Sequence, residues 1–173
     1  MHLQYIRDKS AKFQYEGDPL EVTSLKIWHC KYKSLSRLAE FRNLISLEIA
    51  SFPDNSFDYI SNLSLLERLS VLHLPKVTNI EPLANLKSLR QLILSTLPSW
   101  DASNKITKIE SLIPLTKLPN LEAIELIGVV GDNGMLDNLK RCVKLRSAVF
   151  TKYPKESVNA FYEMAGVEKK RVV

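Results

Sequence analysis

The stretch LANLKSLRQLILS, residues 83–95, carries leucine at positions 83, 86, 89, 92 and 94. The gaps of three, three, three and two residues match neither the 3.6-residue period of an α-helix nor the two-residue period of a strand. A chain that turns a corner within the stretch can bury all five leucines. The spacing therefore predicts a short, tightly wound segment followed by a strand that holds Leu92 and Leu94.

The second half of this stretch belongs to a repeated frame of the form apolar-x-x-apolar-x-apolar. The frame fits at Val22/Leu25/Ile27, Leu44/Leu47/Ile49, Leu69/Leu72/Leu74, Leu89/Leu92/Leu94, Leu121/Ile124/Leu126 and Leu145/Ala148/Phe150. Four of the five steps between the last members lie between 20 and 25 residues, and the fifth is 32. The repeat predicts parallel strands, joined by short crossovers and stacked about 4.8 Å apart around one continuous core.

These residues resemble the leucine-rich repeat proteins, whose pattern is LxxLxLxxN/C. The segment VTNIEPLANLKSLRQLIL, residues 77–94, is similar to the bacterial internalin-type repeat. The resemblance implies an α/β fold: a short solenoid of about six units with a concave parallel sheet, short helices on the convex side and a cap at each end. The family's Asn/Cys position falls on Cys30, Phe52, Val77, Leu97, Val129 and Tyr153, and none of these is asparagine. The turns after the strands therefore need other hydrogen-bond partners than an asparagine ladder.

The two flanks are expected to close the ends of the solenoid within a single domain over residues 1–173. Two short apolar-polar alternations predict a hairpin cap over residues 1–21, ahead of repeats over residues 22–153. Residues 154–173 are expected to form a helix cap and a basic tail. An apolar helical face follows Pro154, and Gly166 is well placed to end that helix.

The composition is typical of a globular protein, with 45% hydrophobic and 25% charged residues. The first twenty residues include Arg7, Asp8, Lys9 and Lys12, so no apolar run there predicts a secretion signal. No later segment is long and apolar enough to predict a membrane span. We therefore expect a cytoplasmic protein without membrane association.

No combination of residues predicts a catalytic or metal site. Cys30 and Cys142 lack the CxxC spacing of a metal or redox motif and are expected to be buried thiols. In the predicted sheet Glu48 and His73 are direct neighbours, with Lys26 on the other side of Glu48. This trio falls short of the ligand count of a zinc site and is expected to be a solvated ion-pair row. We expect no enzymatic activity, no cofactor and no metal.

Protein binding is the function that the sequence favours. Side chains that alternate with the buried strand positions point outward from the concave sheet, and loops 51–56, 97–105 and 128–134 leave the sheet at one rim. Trp28 either contacts a partner or packs beneath the hairpin, and Trp100 either contacts a partner or folds back onto its own loop. The predicted contact residues are Lys26, Trp28, Glu48, His73, Ile93, Trp100, Asp101, Glu125 and Ile127.

We expect a monomeric bacterial scaffold or adaptor for a protein partner, with a toxin inhibitor or immunity factor as one specific form. The net charge of +5 and the pI of 9.2 leave a nucleic-acid-associated basic protein as an alternative. Its basic residues are scattered, however, and the predicted concave row mixes Lys26 with Glu48 and Glu125. A nucleic-acid partner is therefore not the expected one.

Overall fold

The computed structural model describes residues 1–171, apart from the side chain of Asp101. Within that part, seven strands form one parallel sheet in chain order. These strands are β1 (His2–Ile6), β2 (Ser24–Trp28), β3 (Ser46–Ala50), β4 (Arg68–Leu72), β5 (Gln91–Ser95), β7 (Ala123–Ile127) and β9 (Ser147–Phe150). The insertion between β5 and β7 adds β6 (Thr107–Lys108), which pairs in parallel with β8 (Val129–Val130).

A layer of short 3₁₀ helices runs along the other side of the solenoid. The helices span Pro19–Glu21, Ser36–Glu40, Asp58–Ile60, Glu81–Asn85, Ile113–Lys117, Asp132–Gly134 and Asp137–Arg141. Two α-helices complete the described residues, α1 (Pro98–Ala102) in the insertion and α2 (Lys155–Ala165) near the C-terminus. The predicted solenoid with a parallel sheet and short helices is confirmed.

The leucines of residues 83–95 occupy both sides of the predicted corner. Leu83 lies in the 3₁₀ helix Glu81–Asn85, and Leu92 and Leu94 lie in β5. All five leucines are fully buried. The Leu86 N–H donates to the Leu83 carbonyl at 3.0 Å and the Leu89 N–H to the Leu86 carbonyl at 2.9 Å, so each of these gaps of three is one tight turn.

The third repeat adopts a different frame from the predicted one. Leu47 pairs with Leu69 and Ile49 with Val71, so the buried frame is Leu66/Leu69/Val71. The predicted frame Leu69/Leu72/Leu74 is therefore shifted by three residues. Both frames have the same apolar spacing, and only pairing with the neighbouring strands selects between them. The repeat steps on either side become 22 and 23 residues.

The predicted N-terminal hairpin is wrong, because β1 pairs with β2 in parallel and forms the first of seven strands. The segment after β1 folds as a further coil. Its Phe13 is buried and contacts Tyr5 edge to face, with ring centroids 5.3 Å apart. Phe13 also lies 5.5 Å from Tyr32 and 5.7 Å from Phe41. Aromatic side chains therefore close this end of the core.

At the opposite end, α2 covers the last coil. Its Phe161 is fully buried and contacts Phe150 with ring centroids 5.2 Å apart. The helix ends at Gly166, whose φ of 60° lies in the left-handed region that glycine tolerates best. Glu168 then forms an isolated parallel bridge with Ser147, so it lies beside the start of β9.

Backbone hydrogen bonds between coils replace the missing asparagine ladder. The residue after each of the first four strands has a positive φ: Arg7, His29, Ser51 and His73. Its N–H donates to the carbonyl of the last residue of the next strand, at distances of 2.7 to 3.2 Å. In this way the left-handed turn aims each N–H at the neighbouring coil and satisfies it there.

Candidate binding surface

The register of the seven strands arranges the outward side chains in three rows across the concave sheet. The row at the strand starts is mostly polar and contains His2, Ser24, Ser46, Arg68, Gln91, Ala123 and Ser147. The central row contains Gln4, Lys26, Glu48, Ser70, Ile93, Glu125 and Val149. The row at the strand ends contains Ile6, Trp28, Ala50, Leu72, Ser95 and Ile127, and we call it the apolar row.

The apolar row is the most hydrophobic part of this face. Ile6 is 54% exposed, and Trp28, Leu72 and Ile127 are partly exposed. Ala50 is buried between Trp28 and Leu72, which are its neighbours in the sheet. The row therefore offers large side chains on either side of a shallow depression.

The side chain of Trp28 contacts an ion pair of the central row, Lys26 and Glu48. The Nζ atom of Lys26 lies 4.5 Å from the centre of the Trp28 ring and 3.0 Å from a carboxylate oxygen of Glu48. These contacts combine a cation–π interaction with an ion pair between adjacent strands. The Trp28 ring also lies edge to face with His29 at 5.6 Å. The alternative that Trp28 packs beneath an N-terminal hairpin is wrong, because β1 pairs with β2 in parallel.

His73 lies outside the concave rows, because the frame of the third repeat is shifted. Ser70, and not His73, is the neighbour of Glu48. His73 follows the end of β4 with a φ of 65°. Its buried Nδ1 atom has no hydrogen-bond partner among the described residues. Burial lowers the pKa of His73, and the nearby His29 lowers it further.

Trp100 covers His73. Its ring contacts the His73 ring edge to face, with centroids 4.8 Å apart, and α1 supplies the backbone that places it there. The Nζ atom of Lys105 lies 5.9 Å from the centre of the Trp100 ring. Trp100 therefore packs at the end of another strand and not at the base of its own loop. It remains partly exposed at the rim.

The remaining predicted residues lie in the second half of the sheet. Ile93 and Glu125 are neighbours in the central row, where Ile93 is partly exposed and Glu125 is only 6% exposed. Ile127 ends the apolar row. The side chain of Asp101 lies outside the described part of the structure. The burial of Glu125 leaves Ile93 and Ile127 as the accessible members of this group.

Sequence reasoning missed Ile6 and Leu72 as surface residues. The predicted frame Leu69/Leu72/Leu74 places Leu72 in the core, and the predicted hairpin contains Ile6. A comparison of repeat lengths could have found Leu72, since the frame Leu66/Leu69/Val71 restores the 22-residue step of the preceding repeat. The same step places residues 2–6 one repeat ahead of β2.

Residues 1–171 contain neither a cluster of metal ligands nor a helix that could span a membrane. Among these residues, no three His, Cys, Asp or Glu side chains come together in a way that could hold a metal ion. Likewise, none of the described helices has the length and hydropathy that a membrane span requires.

Comparison with solved structures identifies similar folds at low sequence identity. The chain superimposes on the crystal structure of an internalin C2 from Listeria monocytogenes with a TM-score of 0.59 and 19% identity, over 84% of this chain. It superimposes on an internalin F from the same organism with a TM-score of 0.51 and 17% identity, over 87% of this chain.

The chain spans 60% of the internalin C2 structure and 54% of the internalin F structure. No protein-family model matches the sequence, and no curated protein matches it. At this level of identity the likeness concerns the fold, and it agrees with the seven-stranded parallel sheet. The chain therefore has the leucine-rich repeat fold, in the form seen in the internalins.

Proposed function

We propose that this protein is a non-catalytic interaction module that binds a protein partner through its concave sheet and the loops at the strand ends. The observation that carries the proposal is the apolar row, which leaves Trp28, Leu72 and Ile127 partly exposed beside the polar central row. Contiguous exposed apolar side chains rimmed by polar ones are typical of protein-binding surfaces.

The size of the sheet limits what the strands contribute. Seven strands at about 4.8 Å spacing, most of them five residues long at about 3.3 Å rise, give a projected area of about 550 Å². A stable protein interface covers about 800 Å² on each partner. The loops at the strand ends, with Trp100 among them, therefore supply the rest of the contact.

Trp28 and Trp100 differ in how they support this contact. Trp28 lies in the apolar row, where Lys26 and Glu48 restrict its ring before a partner arrives. Trp100 reaches the same rim from α1 and rests on His73. A tryptophan that is already ordered loses little conformational freedom on binding, which favours its use as an anchor.

Affinity capture from the native cell tests the proposal. The wild-type protein and the variant Trp28→Ala/Leu72→Ala are immobilised at equal density, and captured proteins are quantified by mass spectrometry. We expect a partner that the wild type retains and the variant loses by at least about tenfold. Tryptophan is enriched in hot spots where truncation costs about 2 kcal/mol or more.

The matched control is Val143→Ala/Met164→Ala. Val143 is 89% exposed and Met164 is 66% exposed, and both lie outside the concave sheet. This variant removes large exposed apolar side chains elsewhere and should keep the partner. Circular dichroism verifies that both variants are folded. A partner that binds both variants equally well would contradict the proposed surface.

A further inference from the structure

A dense group of cations lies on the first two coils, in the segments that follow the ends of β1 and β2. The segments 7–12 and 29–33 contain Arg7, Lys9, Lys12, Lys31 and Lys33, which we call the basic rim patch. All five side chains are exposed. The same two segments hold one carboxylate, so they carry a net charge of +4 of the chain's +5.

Backbone hydrogen bonds stack these cations in neighbouring coils. The N–H of Lys31 donates to the carbonyl of Asp8 at 2.8 Å, and the N–H of Lys33 donates to the carbonyl of Ala11 at 2.9 Å. The two segments therefore run side by side: Lys31 and Lys33 donate on the second coil, and Lys9 and Lys12 follow the two acceptors on the first. Like charges in adjacent strands oppose folding.

Elsewhere, the coils of this protein place opposite charges next to one another. Lys26 pairs with Glu48, and Arg90 pairs with Glu122 at 2.9 Å. Within the described residues, by contrast, no cation of the basic rim patch forms an ion pair. The patch thus departs from the pattern that stabilises the rest of the solenoid.

The only carboxylate within these two segments, Asp8, is engaged in the turn of the first coil. It accepts hydrogen bonds from the Ser10 N–H at 2.9 Å, the Ser10 hydroxyl at 2.8 Å and the Tyr32 hydroxyl at 2.7 Å. The bond from the Ser10 N–H is the main cause of the lowered pKa of Asp8, and Tyr32 lowers that pKa further. The carboxylate of Asp8 therefore stays with its turn and the cations remain available.

A cavity of about 440 Å³ opens beside this patch. Its lining includes Lys12 and Lys33, and Phe13, which is 3% exposed, lies at its base. Arg37 also lines it, but its guanidinium donates two hydrogen bonds to Glu40, at 2.9 and 2.8 Å. Lys12 and Lys33 are therefore the lining cations with charge to offer a ligand.

We propose that the basic rim patch and this cavity form a binding site for a short acidic polypeptide segment, separate from the concave surface. One acidic side chain would enter the cavity between Lys12 and Lys33, and its neighbours would meet Lys9 and Lys31. The site goes beyond the proposed function because it names the chemistry of a ligand, and because its lining contains no outward residue of the sheet.

A polypeptide fits the site better than a nucleic acid does. The patch spans two coils about 4.8 Å apart and about 10 Å of chain, whereas even single nucleic-acid-binding modules bury about 600 Å² or more. Phe13 is too deeply buried to stack on a base.

Fluorescence anisotropy with the full chain tests the site. The probes are a labelled hexaglutamate peptide and a labelled oligothymidylate with six phosphates, each titrated with protein at 50 and 300 mM salt. We expect hexaglutamate to bind more tightly than the oligothymidylate at 50 mM salt, and its binding to weaken at 300 mM because exposed charges are screened.

Three variants locate the site. Lys12→Ala/Lys33→Ala should weaken hexaglutamate binding by about tenfold or more. Lys169→Ala/Lys170→Ala removes the same charge from exposed positions in the tail and should leave binding within about twofold of wild type. Trp28→Ala should also leave it unchanged, so the outcome is independent of the concave surface.

Three results would overturn the proposal, in addition to unimpaired binding by a folded Lys12→Ala/Lys33→Ala variant. They are no hexaglutamate binding at 50 mM salt, equal loss in the two lysine variants, and oligothymidylate binding at least as tight as that of the peptide. A thermal melt accompanies each titration. Because the stacked lysines repel one another, Lys12→Ala/Lys33→Ala should melt at or above the wild-type temperature, and a folded variant with unimpaired binding counts against the site.

Discussion

Replacing Gly128 by alanine should strongly destabilise the protein. Gly128 follows β7 with a φ of 67°, in the column of left-handed residues that also contains Ser51, whose φ is likewise 67°. Thr96, which precedes Gly128 in this column, is absent from the residues with positive φ. A Cβ atom on Gly128 would lie 2.2 Å from Thr96 Oγ1, whereas an ordinary contact begins at 3.4 Å.

The backbone around Gly128 has little room to yield. Its N–H donates to Thr151 Oγ1 at 2.8 Å, and its carbonyl accepts from the Thr107 N–H at 2.9 Å. The left-handed conformation costs an L-residue about 1–2 kcal/mol, and the steric overlap should add about 1–2 kcal/mol. Gly128→Ala should therefore lower the free energy of unfolding by about 2–4 kcal/mol, or the melting temperature by about 5–15 °C.

Urea unfolding of a double-mutant cycle separates the two contributions. Thr96→Ala removes the Oγ1 atom and leaves a Cβ at 3.2 Å, so it should restore about 1–2 kcal/mol to Gly128→Ala. Ser51→Ala keeps the same φ and should cost less than about 1 kcal/mol. The reasoning fails if Gly128→Ala costs less than about 1 kcal/mol or if Thr96→Ala gives no recovery in its presence.

Three further predictions concern other parts of the solenoid. Val71→Ser should lower the free energy of unfolding by about 2–4 kcal/mol because Val71 is fully buried, whereas Leu72→Ser should lower it by less than about 1 kcal/mol. Urea unfolding measures both values. The reverse order would support the predicted frame Leu69/Leu72/Leu74. Tyr153→Phe should lower the free energy of unfolding by about 1–3 kcal/mol. The buried Gly131 N–H donates to the Tyr153 hydroxyl at 3.0 Å and would lose this acceptor. An unchanged urea midpoint would refute this prediction. The pKa of His73 is lowered in the folded state, so the unfolded chain binds more protons and stability should fall as pH decreases through about 6.5. His73→Asn, which keeps a residue that tolerates positive φ, should flatten this part of a stability–pH profile, and an identical slope would count against a role for His73.

The candidate surface was predictable only in part. The repeat pattern places Lys26, Trp28 and Glu48 correctly in neighbouring strands, because the first two predicted frames are 22 residues apart. His73 was misplaced because the third repeat fits two frames equally well. The contact of Trp100 with His73 joins residues 27 positions apart, and no local pattern specifies it. The burial of Glu125 also depends on the neighbouring strands.

A solenoid with a parallel sheet is predictable from the amino-acid pattern alone, because leucines at recurring three-residue and two-residue gaps bury completely only on a coil with one corner per repeat. Tertiary structure decided the register of the third repeat and the start of the sheet at residue 2, since strand pairing selects among apolar patterns of equal hydrophobicity. The tertiary structure also forms the basic rim patch, because it brings lysines about 22 residues apart onto neighbouring coils. Periodicity reports which residues are buried within one coil, whereas a binding surface depends on which coils are adjacent.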